Sequence, residues 1–257
     1  MANYDYQARG GTVERADVGT LDQGLRAYML RVYNYMAVGL VVTGLAAVAA
    51  FYGAVTSTPT PYAIGRGEYL TNFGYALFAS PLKWAVIFAP LAMVFFLSWR
   101  IARMSVAAAQ TTFWVYAGLV GLSLASIFLV YTTESIAQVF FITAATFGAM
   151  SLWGYTTKRD LTSMGSFLMM GLFGIIIAML VNLFLQSSGL SWVISVLGVV
   201  IFTGLTAYDT QKIKEMYYVG DDGTVAGRKA IMGALNLYLD FINIFIMLLR
   251  LVGNQRD

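Results

Sequence analysis

The sequence contains no cysteine and no histidine. Without thiols there is no disulfide, no thiolate nucleophile, and no zinc or iron–sulfur site of the usual ligand types. Without imidazole the chain lacks the commonest catalytic base and the side chain that ordinarily senses pH between about 5 and about 8. Any proton chemistry therefore falls to carboxylates. Proline is scarce, with four residues and none after Pro90. Charge is low as well: 11% of the 257 residues are charged and 59% are hydrophobic, a balance outside the range of soluble domains.

What the chain has in abundance is long apolar runs. Seven segments of roughly 20 residues each suffice for a helix to cross about 30 Å of hydrocarbon. They lie at about 33 to 55, 81 to 99, 109 to 131, 135 to 155, 165 to 185, 190 to 209 and 230 to 250. The expected fold is all-α, a polytopic membrane protein of seven transmembrane helices. Residues 1–30 form a polar tail with Arg9, Glu14, Arg15, Asp17 and Asp22, and 31–257 form the transmembrane domain. The tail is not a cleavable secretory signal, so the first span is expected to act as its own insertion signal.

The sixteen basic residues set an orientation. With the N-terminus cytoplasmic, Arg9, Arg15, Arg26, Arg31, Arg100, Arg103, Lys158, Arg159, Lys212, Lys214, Arg228 and Lys229 fall inside. Only Arg66, Lys83, Arg250 and Arg256 fall outside. This distribution follows the positive-inside rule. Topology thus accounts for the net charge of +3, and the expected partner is the lipid bilayer rather than nucleic acid.

Local signals mark several boundaries. Ser80-Pro81 offers an N-cap followed by proline at the first helical position, and Thr162 or Ser163 can cap the fifth span. Gly174 and Ala178 form a small-xxx-small pair expected to mark close helix packing. The thirteen methionines read as lipid-facing or core filler rather than copper ligands. No internal repeat is visible, and seven spans divide badly into two transporter halves.

Of thirteen acidic residues, all but Asp209 and Asp240 lie in the tail, in loops or at span edges. Asp209 ends the sixth span in TGLTAYDTQKIKEMY. Asp240 lies eleven residues past Lys229 in LYLDFINIF, roughly 16 Å along the helix and close to mid-membrane. A charge there costs about 2.5–3.5 kcal/mol to insert, even on the lenient translocon scale. Stepping by three and four along the seventh span gives a polar file of Lys229, Gly233, Asn236, Asp240, Asn243, Met247 and Arg250. Such a file cannot face lipid, so this helix is expected to be central, turned toward a water-filled path or buried partners. The corresponding file of the sixth span is Ser195, Gly198, Phe202, Thr206 and Asp209.

Each acid also has an ordinary structural explanation. Asp209 can form an exposed i,i+3 ion pair with Lys212, and Asp240 can staple helices through Asn236 or Asn243. Their depths differ along the sequence, one marginal and one central. Nothing in the spacing alone forces contact unless the helices extend beyond the membrane or the cytoplasmic mouth is open.

AYDTQKIK at 207–214 and LYLDFINIFIMLLRLVG at 237–253, with seven spans and a cytoplasmic N-terminus, resemble the Bax-inhibitor/YccA family of transmembrane Bax-inhibitor-motif proteins. The resemblance runs from about residue 25 to the end. It implies six helices surrounding a central seventh, and a calcium leak of the bacterial cytoplasmic membrane in which Asp209 and Asp240 sense pH. It implies that Arg100, in LSWRIAR, pairs with Asp209 in the closed state. Arg250 matches a basic residue that some members latch to a carboxylate of the second span; here that span has none, leaving Glu68 or Glu134 as substitutes, or no latch at all. The resemblance further implies a regulatory role in stress survival, with a membrane-bound AAA protease as partner.

The chemistry stands beside the resemblance. Two carboxylates a few ångströms apart in low dielectric cannot both ionise cheaply, so they titrate as a unit. Calcium prefers oxygen ligands, and Asp209 and Asp240 with Asn236, Asn243 and Thr206 supply a sparse set. Weak binding of calcium ions or protons suits passage rather than storage. No resident cofactor is expected. An intramembrane aspartyl protease also uses two helical aspartates, one of them in a pair like Tyr208-Asp209. Here the second follows Leu239 rather than a Gly-x-Gly signature, and no proline after Pro90 is available for the loop such proteases carry.

Overall fold

The computed structural model describes residues 6–65 and 67–256, with side chains from Gln23 onward. Arg66 and the charged side chains of the tail as far as Asp22 lie outside the described residues. Helix α1 (Tyr6–Ala54) is followed by three short strands, β1 (Val55–Thr56), β2 (Ala63–Gly65) and β3 (Glu68–Leu70), paired antiparallel in the order β1-β3-β2. A single turn, α2 (Asn72–Gly74), runs through a π-helical turn into α3 (Leu82–Arg100). Then come α4 (Val106–Leu124), α5 (Ile127–Val130), α6 (Thr133–Thr156), α7 (Thr162–Leu185), α8 (Ser188–Glu215) and α9 (Gly223–Val252).

Among the described residues, seven helices are long and apolar enough to span a bilayer: α1 from Gln23, α3, α4 with α5, α6, α7, α8 and α9. The protein is thus the all-α polytopic membrane fold expected. The spans are longer than the hydropathy runs. Residues 23–30 of the expected tail are helical, and Tyr28 and Met29 are buried in the bundle. The sixth helix continues past Asp209 to Glu215, and the seventh begins at Gly223 rather than near 230.

Helix α9 is the axis. Two thirds of its apolar window, 67%, is buried inside the protein, against 11–39% for the other six. Leu235, Leu237, Tyr238 and Ile244, which point to different sides, have no exposure. A helix buried on every side is one surrounded by other helices. Helices α3 and α7, buried over only 11%, carry Phe95, Phe167 and Phe184 on the exterior, as suits a surface bathed in acyl chains. At the centre the Tyr238 hydroxyl meets Thr43 Oγ1 at 2.6 Å, and Thr43 also reaches the Gly39 and Ala117 carbonyls of α1 and α4. Phe113 and Tyr116 pack edge-on against the Tyr238 ring. One buried hydroxyl pair thus joins three helices without an unpaired polar group at that point.

Helix ends follow capping chemistry, with two departures from expectation. Ser105, Thr132, Ser187 and Asp222 accept backbone N–H groups at the starts of α4, α6, α8 and α9. Pro81 occupies the N-cap of α3 itself, while Ser80 Oγ accepts from Leu82 N at 3.1 Å. Neither Thr162 nor Ser163 caps α7. Asp160 does so from the loop, accepting from Thr162 N at 2.8 Å, and this hydrogen bonding holds its carboxyl below the ordinary value. Gly174 is not a packing point either: a Cβ there would meet nothing within 4 Å. Close backbone approaches between spanning helices are at Gly154, where a Cβ would lie 2.2 Å from the Ala207 carbonyl, and Gly121, 2.4 Å from the Thr43 carbonyl.

Several basic residues do more than orient the chain. Arg228 of α9 donates to the Met104 and Ala102 carbonyls at 2.6 and 2.8 Å, fixing the turn after α3. Lys214 donates to the Tyr155 carbonyl, and Lys229 to the Met216 carbonyl and Asp221. Cations at carbonyls left over by helix C-termini satisfy acceptors that the helices cannot.

Candidate functional site

Asp209 and Asp240 sit on the two helices with the most extensive mutual packing, α8 and α9. Gly198 abuts Met247, and Gly233 abuts Ile213, with virtual Cβ contacts of 2.9 and 3.0 Å. These two contacts lie on opposite sides of the aspartates and give the same antiparallel register. That register sets Asp240 level with Thr206, and Asp209 level with Asn236. The axial offset between the two acids is about three residues, or about 4.5 Å. The difference in depth suggested by the sequence therefore disappears, because α8 continues below Asp209 and α9 begins below Lys229.

Both polar files face one another. Gly233, Asp240 and Met247 of α9 are buried, as are Ser195, Gly198, Phe202 and Thr206 of α8. Asp240 is 4% exposed, and its Oδ2 finds no hydrogen-bond donor among the described residues. Asp209 is half-buried on the face of α8 turned to α9. Thr206 Oγ1 turns back to the Phe202 carbonyl at 2.8 Å, and Asn243 Nδ2 to the Leu239 carbonyl at 2.8 Å. Asn236 is half-buried at the level of Asp209. Among the described residues Asp240 makes no hydrogen bond to Asn243, whose amide donates to its own helix, so that staple is not formed.

The basic residues are placed differently from the acids. Lys212 lies exposed over the Tyr208 ring at 5.8 Å and forms no ion pair with Asp209 among the described residues. Arg100 is exposed at the end of α3 and forms no ion pair with Asp209 among the described residues. Arg250 lines a recess with Asn182, Gln186 and Ser191 at the opposite end of the bundle. Glu68, one of the substitutes for its latch, pairs instead with Arg256 at 3.6 Å. Glu134 sits in the first turn of α6.

One polar cluster near the acids escaped the sequence. Ser151 of α6 lies 2.5 Å from the Tyr33 hydroxyl and 3.0 Å from Thr210 Oγ1, linking α1, α6 and α8 beside Asp209. Next to it, Gln211 accepts from Leu161 N and donates to the Arg159 carbonyl, both at 2.8 Å, pinning the α6–α7 loop to α8. Single Ser, Tyr and Thr residues on three helices carry no periodic signal, so only their convergence reveals them.

Residues 25–257 match the family described as inhibitor of apoptosis-promoting Bax1. The chain belongs to the Bax inhibitor family. An uncharacterized protein of Rickettsia prowazekii is 50% identical to it over 238 residues, covering 93% of this chain and 94% of the relative. Escherichia coli inner membrane protein YbhL is 45% identical over 235 residues, covering 91% and 94%. An uncharacterized membrane protein of Streptococcus pyogenes is 35% identical over 234 residues, covering 91% and 95%. The Bax inhibitor family match covers all seven spanning helices, Asp209 and Asp240 lying within the matched residues.

Proposed function

We propose that this protein is a pH-sensitive calcium leak of the bacterial cytoplasmic membrane, gated by Asp209 and Asp240, with its N-terminus in the cytoplasm. The observation that carries this reading is Asp240: a carboxylate in the central helix, 4% exposed, with one oxygen lacking a donor and a second carboxylate about one helical turn away on the facing helix. An acid kept at such a site without a structural partner is the mark of an ion or proton pathway. The two charges repel in a low dielectric, so uptake or loss of a proton by one alters the other. Calcium passing between them would meet oxygen ligands only, with Asn236 and Thr206 at the same levels.

Arg100 enters as the gating cation. It ends α3, and the turn that follows is held to α9 by Arg228. A shift of α9 that changes the aspartate pair would therefore move the end of α3. Pairing of Arg100 with ionised Asp209 closes the path in this scheme.

The test is calcium entry into dye-loaded liposomes containing the purified protein, from about pH 5 to about pH 8. We expect a pH-dependent flux that falls about tenfold or more in Asp240→Asn, equivalent to about 1.4 kcal/mol in the barrier. Asp209→Asn and Arg100→Ala should flatten the pH dependence. No flux above protein-free liposomes, with the protein folded, would transfer the reading to a regulatory membrane protein, of which a stable complex with a membrane-bound AAA protease would be the sign.

A further inference from the structure

Helices α1 and α6 flank the bundle on one side, joined by the Tyr33–Ser151 hydrogen bond but otherwise packing little on each other. Each packs instead against α9, and α1 against α4. Between them lie two cavities in line. One, of about 490 Å³, is lined by Arg26, Leu30 and Tyr33 of α1 and by Gly148, Ser151 and Tyr155 of α6. The other, of about 290 Å³, lies between Leu40, Gly44 and Val48 of α1 and Ile136, Ala137 and Phe141 of α6, with Phe241 and Phe245 of α9 as its floor. From Arg26 to Val48 the two cavities follow α1 for about 33 Å.

Three features define the occupant. The Phe241 end is almost wholly apolar, which suits hydrocarbon. The other end carries cations: Arg26 lines it, and Lys214 is held at its edge, 2.9 Å from the Tyr155 carbonyl and over the Tyr155 ring. Glycines leave room at both ends, since a Cβ on Gly44 or Gly148 would meet nothing within 4 Å. We propose that this slot binds one glycerophospholipid of the surrounding membrane. One of its two acyl chains lies between α1 and α6, and its phosphate is held at Arg26 and Lys214. Basic pockets between spanning helices bind lipid phosphates for the same electrostatic reason, and arginine offers paired donors to phosphate oxygens. Cavities of these volumes suit a flexible chain, whereas a partner helix needs a face about 10–12 Å wide.

The test is native mass spectrometry of the full-length protein, delipidated and then offered phosphatidylglycerol or, separately, the matching uncharged diacylglycerol. We expect one phosphatidylglycerol per chain to survive in wild type. Retention should fall about tenfold in Gly44→Leu and in Gly148→Leu, which add a side chain where a Cβ meets nothing within 4 Å. Gly118→Leu, which also meets open space but opens onto another groove, should retain lipid as wild type does. Arg26→Gln should lower phosphatidylglycerol retention to that of diacylglycerol. The proposal fails if the filling variants retain lipid, if Gly118→Leu loses it equally, if diacylglycerol is held as well as phosphatidylglycerol by wild type, or if a second protein chain occupies the slot instead. The wild-type lipid comparison stands even if a filling variant does not fold.

Discussion

At the scale of single residues, Asp240 is the position whose energetics and role diverge most. A buried carboxylate with an oxygen lacking a donor weakens a fold, because it loses water without a replacement bond. Replacing it by asparagine removes the charge that faces Asp209 while keeping the shape. Asp240→Asn is therefore expected to match or exceed wild-type thermal stability in detergent, by about 1–2 kcal/mol. A loss of stability of that size would instead identify Asp240 as structural glue. Asp160 differs. Its hydrogen bonds from Thr162 hold its carboxyl below the ordinary value, so its contribution is complete above that value and fades only as pH falls through the lowered one. A pH response near neutrality cannot come from Asp160.

At the scale of helices, contact between α6 and α8 depends on Gly154. A side chain there runs into the Ala207 carbonyl, and backbone cannot move aside as a flexible side chain can. Gly154→Val should destabilise the bundle by about 1–3 kcal/mol, measured by thermal unfolding in detergent, with Gly174→Val close to neutral. The sequence pointed to the wrong glycine, because a small-xxx-small spacing is the same whether the face meets a helix or lipid. The polar files of α8 and α9 were legible because a 3.6-residue period places Asp240, Asn236 and Gly233 on one face whatever lies opposite. Whether that face met water, a partner or another acid was not legible. Met247 against Gly198 and Ile213 against Gly233 decide it.

At the scale of the whole molecule, the ends of the helices divide into two sets. One set holds the clamps by Arg228, Lys214 and Lys229. The other holds the small sheet and the final residues, where Asn254 bonds to Thr132 and Ser135 and Arg256 pairs with Glu68. With the proposed orientation, the first set is cytoplasmic. Because the chain has no cysteine, single cysteines can report this directly. Thr157→Cys and Tyr218→Cys should react with a membrane-impermeant maleimide only from the cytoplasmic side, and Thr58→Cys only from the other. The reverse pattern would invert the orientation.

Composition and periodicity alone determined the class of protein, the number of spans, the central place of the last helix and the two acids that membrane insertion disfavours. These follow from the sequence because each depends on the free energy of placing a residue in lipid or on the geometry of one helix. The tertiary structure decided the register that makes Asp209 and Asp240 neighbours, the partners of Arg228 and Ser151, and the slot between α1 and α6. Between helices in lipid there is little hydrophobic driving force, so small residues and a few hydrogen bonds fix how far one helix slides along another. Those contacts join residues far apart in the chain and leave no period within it.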